Sequence, residues 1–151
     1  EWWWPAVFGA PPSAATRAAF DDAIHEMLAP FAARSFVHRD FFPANLMPLD
    51  RAPPAHVGLL DFQDAAYGHP AYDLVSLVED ARRDVDEAVR EAAIARYLAC
   101  RGLEAETFRA AMAAHAAQRH LRVAALWARL ARRDSKPHYL RHGPRCWALL
   151  D

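Results

Sequence analysis

The sequence predicts an α+β fold in which short strands come first and helices make up most of the rest. Apolar triplets bounded by turn residues occur in the first 60 residues, whereas helical periodicity dominates from residue 70 onward. The stretch 104–133 contains neither Gly nor Pro, so it can form one long helix. With 151 residues, of which 54% are hydrophobic and 25% charged, the chain is typical of one globular domain with its own core.

The first half of the chain begins with segment 2–12, which is aromatic and then rich in proline and is interpreted as a lead into the domain. Ser13 is a suitable N-cap for a helix that runs to about residue 28, because a Ser hydroxyl can accept free N–H groups of a first turn. Short strands are predicted at 35–37, 46–48 and 57–60. Two prolines within 50–55 indicate a turn, so the second and third strands are expected to pair as a hairpin.

The second half is predicted to be helical, with helices at 72–80, 84–100, 104–133 and 144–150. The first of these is apolar on most sides, which is typical of a buried helix. The second is amphipathic and should end at Gly102, a natural C-terminal stop. A break around Pro137 separates the last two.

Composition also bears on partners and location. The formal net charge is −1, so we expect neither a nucleic-acid partner nor a membrane-surface partner. No apolar run is long enough to span a bilayer. Cys100 and Cys146 lie far apart and outside metal-binding spacings, so we expect free thiols in a reducing compartment, the cytoplasm. The chain starts at Glu1 without an initiator Met, and we expect it to be a piece of a longer protein.

One segment has the pattern of a catalytic loop. His38-Arg39-Asp40 is followed after four residues by Asn45, and a hydrophobic strand precedes it. The order His-Arg-Asp, four residues, Asn is typical of a kinase catalytic loop. In that pattern Asp40 orients the acceptor hydroxyl and accepts its proton.

The predicted hairpin adds a second acidic residue to this loop. Asn45 precedes the second strand and Asp61 follows the third, so antiparallel pairing would bring them to the same end. Because Mg²⁺ prefers oxygen ligands and often takes only one or two from the protein, we predict that these two residues bind a magnesium ion. The plainer alternative is that Asp40 and Asn45 are ordinary turn residues and Asp61 is a helix cap.

At these residues the sequence resembles the aminoglycoside phosphotransferase and choline kinase-like family, which shares the protein-kinase architecture. The shared motifs are the loop from His38 to Asn45 and the pair Asp61-Phe62. The run 60–77, which reads LDFQDAAYGHPAYDLVSL, and the tail 118–145 resemble the bacterial anomeric kinases for N-acetylmuramate and N-acetylglucosamine.

The resemblance implies that residues 1–151 form the mainly helical carboxy-terminal lobe of a protein-kinase-like fold, with ATP and Mg²⁺ as cofactors. The amino-terminal nucleotide-binding lobe is expected to be absent from this chain, because no Gly-rich loop precedes His38 and the only lysine is Lys136. This lobe alone should then have almost no activity.

The reaction that the resemblance implies is phosphorylation of the anomeric hydroxyl of an amino sugar in cell-wall recycling. Two alternatives stay open. The acceptor could be an aminoglycoside or another small hydroxylated molecule, or the chain could be a non-catalytic half-kinase.

The resemblance also implies roles for neighbouring residues. Asp73 would accept hydrogen bonds from the catalytic-loop backbone, with His38 as a second support; alternatively, Asp73 is an acidic residue favoured by the dipole at a helix N-terminus. Gln63 and Asp64 would either reach the acceptor sugar or cap the local turn. Phe42 stands where a His is expected in many family members.

Two further groups of side chains invite a functional reading. We expect the tryptophans at 2–4 to pack at the boundary with the absent lobe rather than to stack on a sugar ring. The arginines of the long helix and its end are predicted to form a solvated face rather than a phosphate-binding strip. They are Arg119, Arg122, Arg129, Arg132 and Arg133.

Overall fold

A computed structural model describes residues 2–150, and within them two small antiparallel sheets lie between two amino-terminal helices and four later ones. This arrangement confirms the α+β prediction. The strands lie in the first half of the chain, and most of the helical residues lie in the second half.

The chain begins with a short helix that the sequence did not suggest. Helix α1, Trp3–Phe8, contains Pro5 in its first turn, where a missing N–H costs little, and it ends at Gly9 with a left-handed φ of 75°. Helix α2, Ala14–Leu28, starts as predicted, because the Ser13 hydroxyl accepts the N–H of Thr16 at 3.0 Å.

Four strands of three residues each form the two sheets. Strand β1, Ser35–Val37, pairs antiparallel with β4, Ala66–Gly68. Strand β2, Leu46–Pro48, pairs antiparallel with β3, Val57–Leu59, which confirms the predicted hairpin. Strand β4 was not predicted, because Ala-Tyr-Gly has no apolar run and lacks the β-branched residues typical of strands.

Helices α3 to α6 are Ala71–Val78, Glu87–Arg101, Ala105–Arg132 and Gly143–Ala148. Helix α4 begins three residues later than predicted, because the Asp86 carboxylate caps it by accepting the N–H groups of the two residues that follow Glu87. Its predicted stop at Gly102 is confirmed by a left-handed φ of 59°. The predicted break after α5 contains Ser135, with φ 55°, and a 3₁₀ turn over Pro137–His142.

Helix α5 contributes residues to both hydrophobic clusters of the core. Its first half packs against α3 and α4 around Val75, Ile94 and Met112. Its second half packs against α6 around Trp127 and Cys146, both fully buried. No helix within residues 2–150 combines the length and the hydropathy of a membrane-spanning segment.

Two histidines stack between the start of α3 and the middle of α5. The rings of His69 and His115 lie 4.9 Å apart at an interplanar angle of 16°, with Phe108 beside His69. Burial and the neighbouring His69 lower the pKa of His115 to about 4, and burial also lowers the pKa of His69. Protonating either ring would place a charge in a partly buried, largely apolar contact.

This pair predicts a loss of stability in mild acid. In the unfolded chain these imidazoles bind protons below about pH 6.5, whereas folded His115 does so only near pH 4. The unfolded state therefore binds more protons between these values, and the free energy of unfolding should fall as the pH drops through that window. After allowance for partial exposure we expect roughly 1–2 kcal/mol from His115. Thermal unfolding of the chain between pH 7.5 and 4.5 would measure it.

The matched variants are His115→Leu and His25→Leu. His25 is exposed in the last turn of α2 and should leave the pH dependence of the melting temperature unchanged. His115→Leu should flatten it. Equal slopes in both variants would show that the stacked pair does not control acid stability.

Candidate active site

The loop that follows β1 turns sharply at Arg39, which has a left-handed φ of 71°. For a residue with a side chain this conformation costs roughly 1–3 kcal/mol. Asp73 on α3 holds the turn, because its two carboxylate oxygens accept the backbone N–H groups of His38 at 2.6 Å and of Arg39 at 3.0 Å. The Arg39 guanidinium also donates to the backbone carbonyl of Asp64 at 3.2 Å.

The carboxylate of Asp73 lies in a partly buried position. Burial raises the pKa of Asp73, and the two backbone N–H donors together with the charge of Arg119 counteract that rise. The donors that shape the loop are thus the same groups that stabilise the ionised carboxylate.

His38 joins the loop to the end of β3. Its side chain is 1% exposed, and its Nε2 lies 2.8 Å from the backbone carbonyl of Leu60. A carbonyl can only accept, so Nε2 carries the proton and Nδ1 is free to accept the backbone N–H of Asp40 at 3.3 Å. One buried imidazole therefore fixes the residue before Asp61 and the backbone of Asp40 together.

Asn45 closes the loop on itself. It ends a 3₁₀ turn, Pro43–Asn45, and its Nδ2 donates to the backbone carbonyl of Asp40 at 2.9 Å and approaches the Asp40 carboxylate at 3.4 Å. Two acceptors on that side fix the orientation of the amide. The amide oxygen of Asn45 lies on the other side of the amide group and accepts no hydrogen bond among the contacts of residues 2–150.

Asp61 has the second strained conformation of the site, with a left-handed φ of 62°. The register pairs Leu46 with Leu59, and the Leu60 N–H donates to the Asn45 carbonyl at 2.9 Å. Asp61 thus lies one residue beyond the position opposite Asn45. Its Oδ1 accepts from Gln63 Nε2 at 2.8 Å, which leaves its other oxygen for a different partner.

The residues at this point fit a magnesium ion better than a transition metal. Within residues 2–150, no three or more His, Cys, Asp or Glu side chains gather into a metal site. Asn45 and Asp61 offer two hard oxygens, the small protein share that Mg²⁺ usually takes when phosphates and water complete its shell.

Asp40 and Asp61 line one cleft of about 500 Å³ between the loop and α5. Five arginines and three aspartates contribute to its walls together with Trp2 and Trp127. The charged residues are Arg39, Arg82, Arg119, Arg122, Arg129, Asp40, Asp61 and Asp64.

Comparison with known proteins fits this geometry. Residues 6–108, more than half of the chain, match the family described as the phosphotransferase enzyme family (APH). The chain belongs to this phosphotransferase family.

Named relatives of this phosphotransferase chain are similar over most of its length. The N-acetylmuramate/N-acetylglucosamine kinase of Caulobacter vibrioides is 45% identical over 121 residues, which cover 79% of the chain and 33% of the relative. Kinases of the same name from Pseudomonas aeruginosa and Neisseria meningitidis are 39% and 36% identical, over 78% and 96% of the chain and 36% and 45% of the relatives. The chain thus spans between a third and a half of the length of the curated relatives it matches.

Gln63 and Asp64, expected either to reach the acceptor or to cap the local turn, lie in the turn that follows Asp61 and line the cleft. The Gln63 amide is engaged by the Asp61 carboxylate. Asp64 uses its backbone carbonyl to bind Arg39. These contacts position both residues next to the predicted metal ligand.

None of the five arginines that line the cleft was predicted as a site residue, and two of them, Arg119 and Arg82, are fixed by contacts within the protein. Arg119 was expected on a solvated face, and this was wrong: its side chain is 3% exposed. The sequence did contain a pattern that indicates burial of Arg119. Ala116, Arg119 and Val123 continue the apolar stripe of α5 at helical spacing. Arg82 lies 4.2 Å above the ring of Phe42, the loop position where a His had been expected.

The tryptophans at the start of the chain differ in their surroundings. Trp3 packs on Trp147 of α6 with ring centroids 5.4 Å apart, so it contributes to packing within this chain, and the expected boundary with the absent lobe stays a prediction. Trp2 instead lines the cleft, where the Arg133 guanidinium lies 5.7 Å from its ring centroid.

The two hydrogen bonds to Asp73 predict that this side chain controls the order of the loop from His38 to Asn45. Asp73→Asn removes the charge and leaves one acceptor oxygen, and each charge-assisted bond contributes about 1.5–3 kcal/mol. The backbone N–H groups of His38 and Arg39 should then exchange with solvent roughly 10- to 100-fold faster. Hydrogen exchange resolved by residue would measure this.

Asp86→Asn is the matched control, because Asp86 also accepts two backbone N–H groups, at the start of α4. It should increase exchange there and leave the loop protected. Unchanged protection of His38 and Arg39 in Asp73→Asn would show that other contacts hold the turn.

Proposed function

We propose that this chain is the catalytic lobe of an ATP- and Mg²⁺-dependent kinase that phosphorylates the anomeric hydroxyl of N-acetylmuramate or N-acetylglucosamine. The observation that carries the proposal is the hydrogen-bond network of Asp73, His38 and Asn45, which fixes Asp40 and Asp61 in one cleft. The names of the relatives support the choice of acceptor.

Asp40 is proposed as the catalytic residue. Its backbone is held on both sides, by His38 Nδ1 at its N–H and by Asn45 Nδ2 at its carbonyl. The carboxylate opens into the cleft, where it can orient an acceptor hydroxyl and accept its proton. Fixing the carboxylate in advance lowers the entropic cost of reaching the reactive geometry.

Asn45 and Asp61 are proposed to hold the magnesium ion. The free amide oxygen of Asn45 and the free carboxylate oxygen of Asp61 supply the ligands, and Gln63 keeps the Asp61 side chain in place. A bound magnesium ion would neutralise negative charge on the phosphates of the nucleotide.

We further propose that a part of the protein outside this chain completes the nucleotide-binding site. The relatives are two to three times longer than the matched region, as their coverage of 33% to 45% requires. The two small sheets and the segment between β3 and β4 also leave apolar side chains uncovered, including Phe36, Phe62 and Tyr67 at 60%, 61% and 82% exposure. This lobe alone should therefore have almost no activity.

An aminoglycoside acceptor is a weaker candidate. Aminoglycosides carry several positive charges, whereas five arginines against three aspartates give the cleft a positive balance. Like charges across a binding cleft disfavour such a ligand.

The first test concerns Asp40 in the full-length protein. Asp40→Ala should lower kcat about 10²- to 10⁴-fold while nucleotide affinity changes little, because a general base acts in the transition state. Steady-state kinetics with each sugar, together with nucleotide binding measured by calorimetry, would separate the two effects.

The control is Asp50→Ala, which removes an exposed aspartate from the turn after β2. Its kcat should equal that of the unaltered protein. A kcat within about threefold of normal in Asp40→Ala would remove Asp40 from the role of base.

The second test asks whether Asn45 and Asp61 share one ion. In the full-length protein, Asp61→Asn should weaken Mg²⁺-nucleotide binding and activity together, with partial recovery at high Mg²⁺ concentration. Asn45→Ala should show a milder defect, because a neutral amide is the weaker ligand. The double variant should lose less than the sum of the single losses.

A magnesium titration of all four proteins measures these effects. Gln63→Ala is a useful comparison variant, because it removes the hydrogen bond to the Asp61 carboxylate but leaves both proposed ligands in place. Full additivity of the two ligand variants, or an unchanged magnesium requirement in Asp61→Asn, would contradict a shared ion.

A further inference from the structure

Arg119 is a buried cation beside the cleft. Its side chain is 3% exposed, and its Nη2 donates at 2.8 Å to the hydroxyl of Ser76, a residue with no exposed surface. Its Nη1 is also buried but has no hydrogen-bond partner within residues 2–150. A guanidinium carries five N–H donors, so burying one with so few partners is unfavourable unless a ligand completes the set.

The nearby carboxylates do not complete it. Burial lowers the pKa of Arg119, and the charges of Asp80 and Asp40 raise it, yet neither carboxylate is hydrogen-bonded to it among the described contacts. The oxygens of Asp80 accept from the backbone N–H of Arg82 at 2.9 Å and pair with Arg83 Nε at 3.2 Å.

A second arginine of the same cleft is held in place by aromatic rings. The Arg82 guanidinium lies 4.2 Å from the ring centroid of Phe42 and 5.3 Å from that of Trp127. Stacking fixes the plane of the group and leaves its N–H edges available. Arg82 and Arg119 both line the cleft that also contains Asp40.

We propose that Arg119, assisted by Arg82, forms a carboxylate-binding subsite for an acidic acceptor sugar. This inference rests on the proposed function, and it predicts that the protein binds the two acceptor sugars differently. N-acetylmuramate carries a lactyl carboxylate, whereas N-acetylglucosamine is neutral. A planar guanidinium fork binds a carboxylate with two parallel hydrogen bonds, so Arg119 would favour the acidic sugar.

The test compares the two sugars in the full-length protein. Arg119→Met should raise KM for N-acetylmuramate roughly 10- to 100-fold, as expected for one lost charge-assisted contact, and should change KM for N-acetylglucosamine by less than about threefold. Arg119→Lys should recover only part of the loss, because an ammonium keeps the charge but lacks the fork. Equilibrium binding of each sugar by calorimetry gives the same comparison without turnover.

Arg96→Met is the matched control, since Arg96 is exposed on α4 away from the cleft, and it should leave both KM values unchanged. Arg82→Met serves as a second variant should Arg119→Met fail to fold, which melting curves would show, and it should weaken N-acetylmuramate selectively as well.

The outcomes separate this inference from the proposed function. Equal losses for both sugars would overturn the subsite and indicate a structural role or a contact to the transferred phosphoryl group. Failure of the unaltered protein to bind either sugar would overturn it too. Selective, Arg119-dependent binding of N-acetylmuramate without phosphorylation would uphold the subsite and refute only the kinase proposal.

Discussion

The carboxylate of Asp73 is the constraint on which the rest of the site depends. It accepts the backbone N–H groups of both His38 and Arg39. These hydrogen bonds stabilise the left-handed backbone of Arg39, a conformation that residues with a side chain disfavour. Because of the turn, the His38 ring points back to Leu60 and fixes the end of the second sheet. A single acidic residue on a mostly apolar helix thus aligns two loops that are separate in sequence.

Much of the fold could be predicted because its boundaries depend on local chemistry. Ser13 and Gly102 act through their own hydroxyl and their own φ, so a short window of sequence contains the whole cause. Strand β4 depends instead on a partner strand that lies far away in the chain, and nothing within Ala66–Gly68 itself favours an extended conformation. Helix α1 was missed for a related reason, since its Trp3 packs on Trp147 of α6, a contact with a distant segment that no local pattern indicates.

The same distinction between local and long-range causes applies to the candidate site. The spacing of Asp40, Asn45 and Asp61 was visible in the sequence, because one loop and one hairpin contain all three. The environment of Arg119 was not, because its partner Ser76 and the aromatic neighbours of Arg82 come from distant segments. Arginine is exposed in most helices, and only the continuous apolar stripe on both sides of position 119 argued otherwise.

The left-handed backbone of Asp61 limits which substitutions evolution can try there. Among side chains, Asn and Asp tolerate this conformation best, and glycine tolerates it better still. Glycine has no side-chain oxygen, Asn lacks the charge, and Glu, though charged, is poorly suited to the backbone. Under the proposed magnesium role, aspartate is therefore the residue that combines a carboxylate with tolerance of this left-handed conformation.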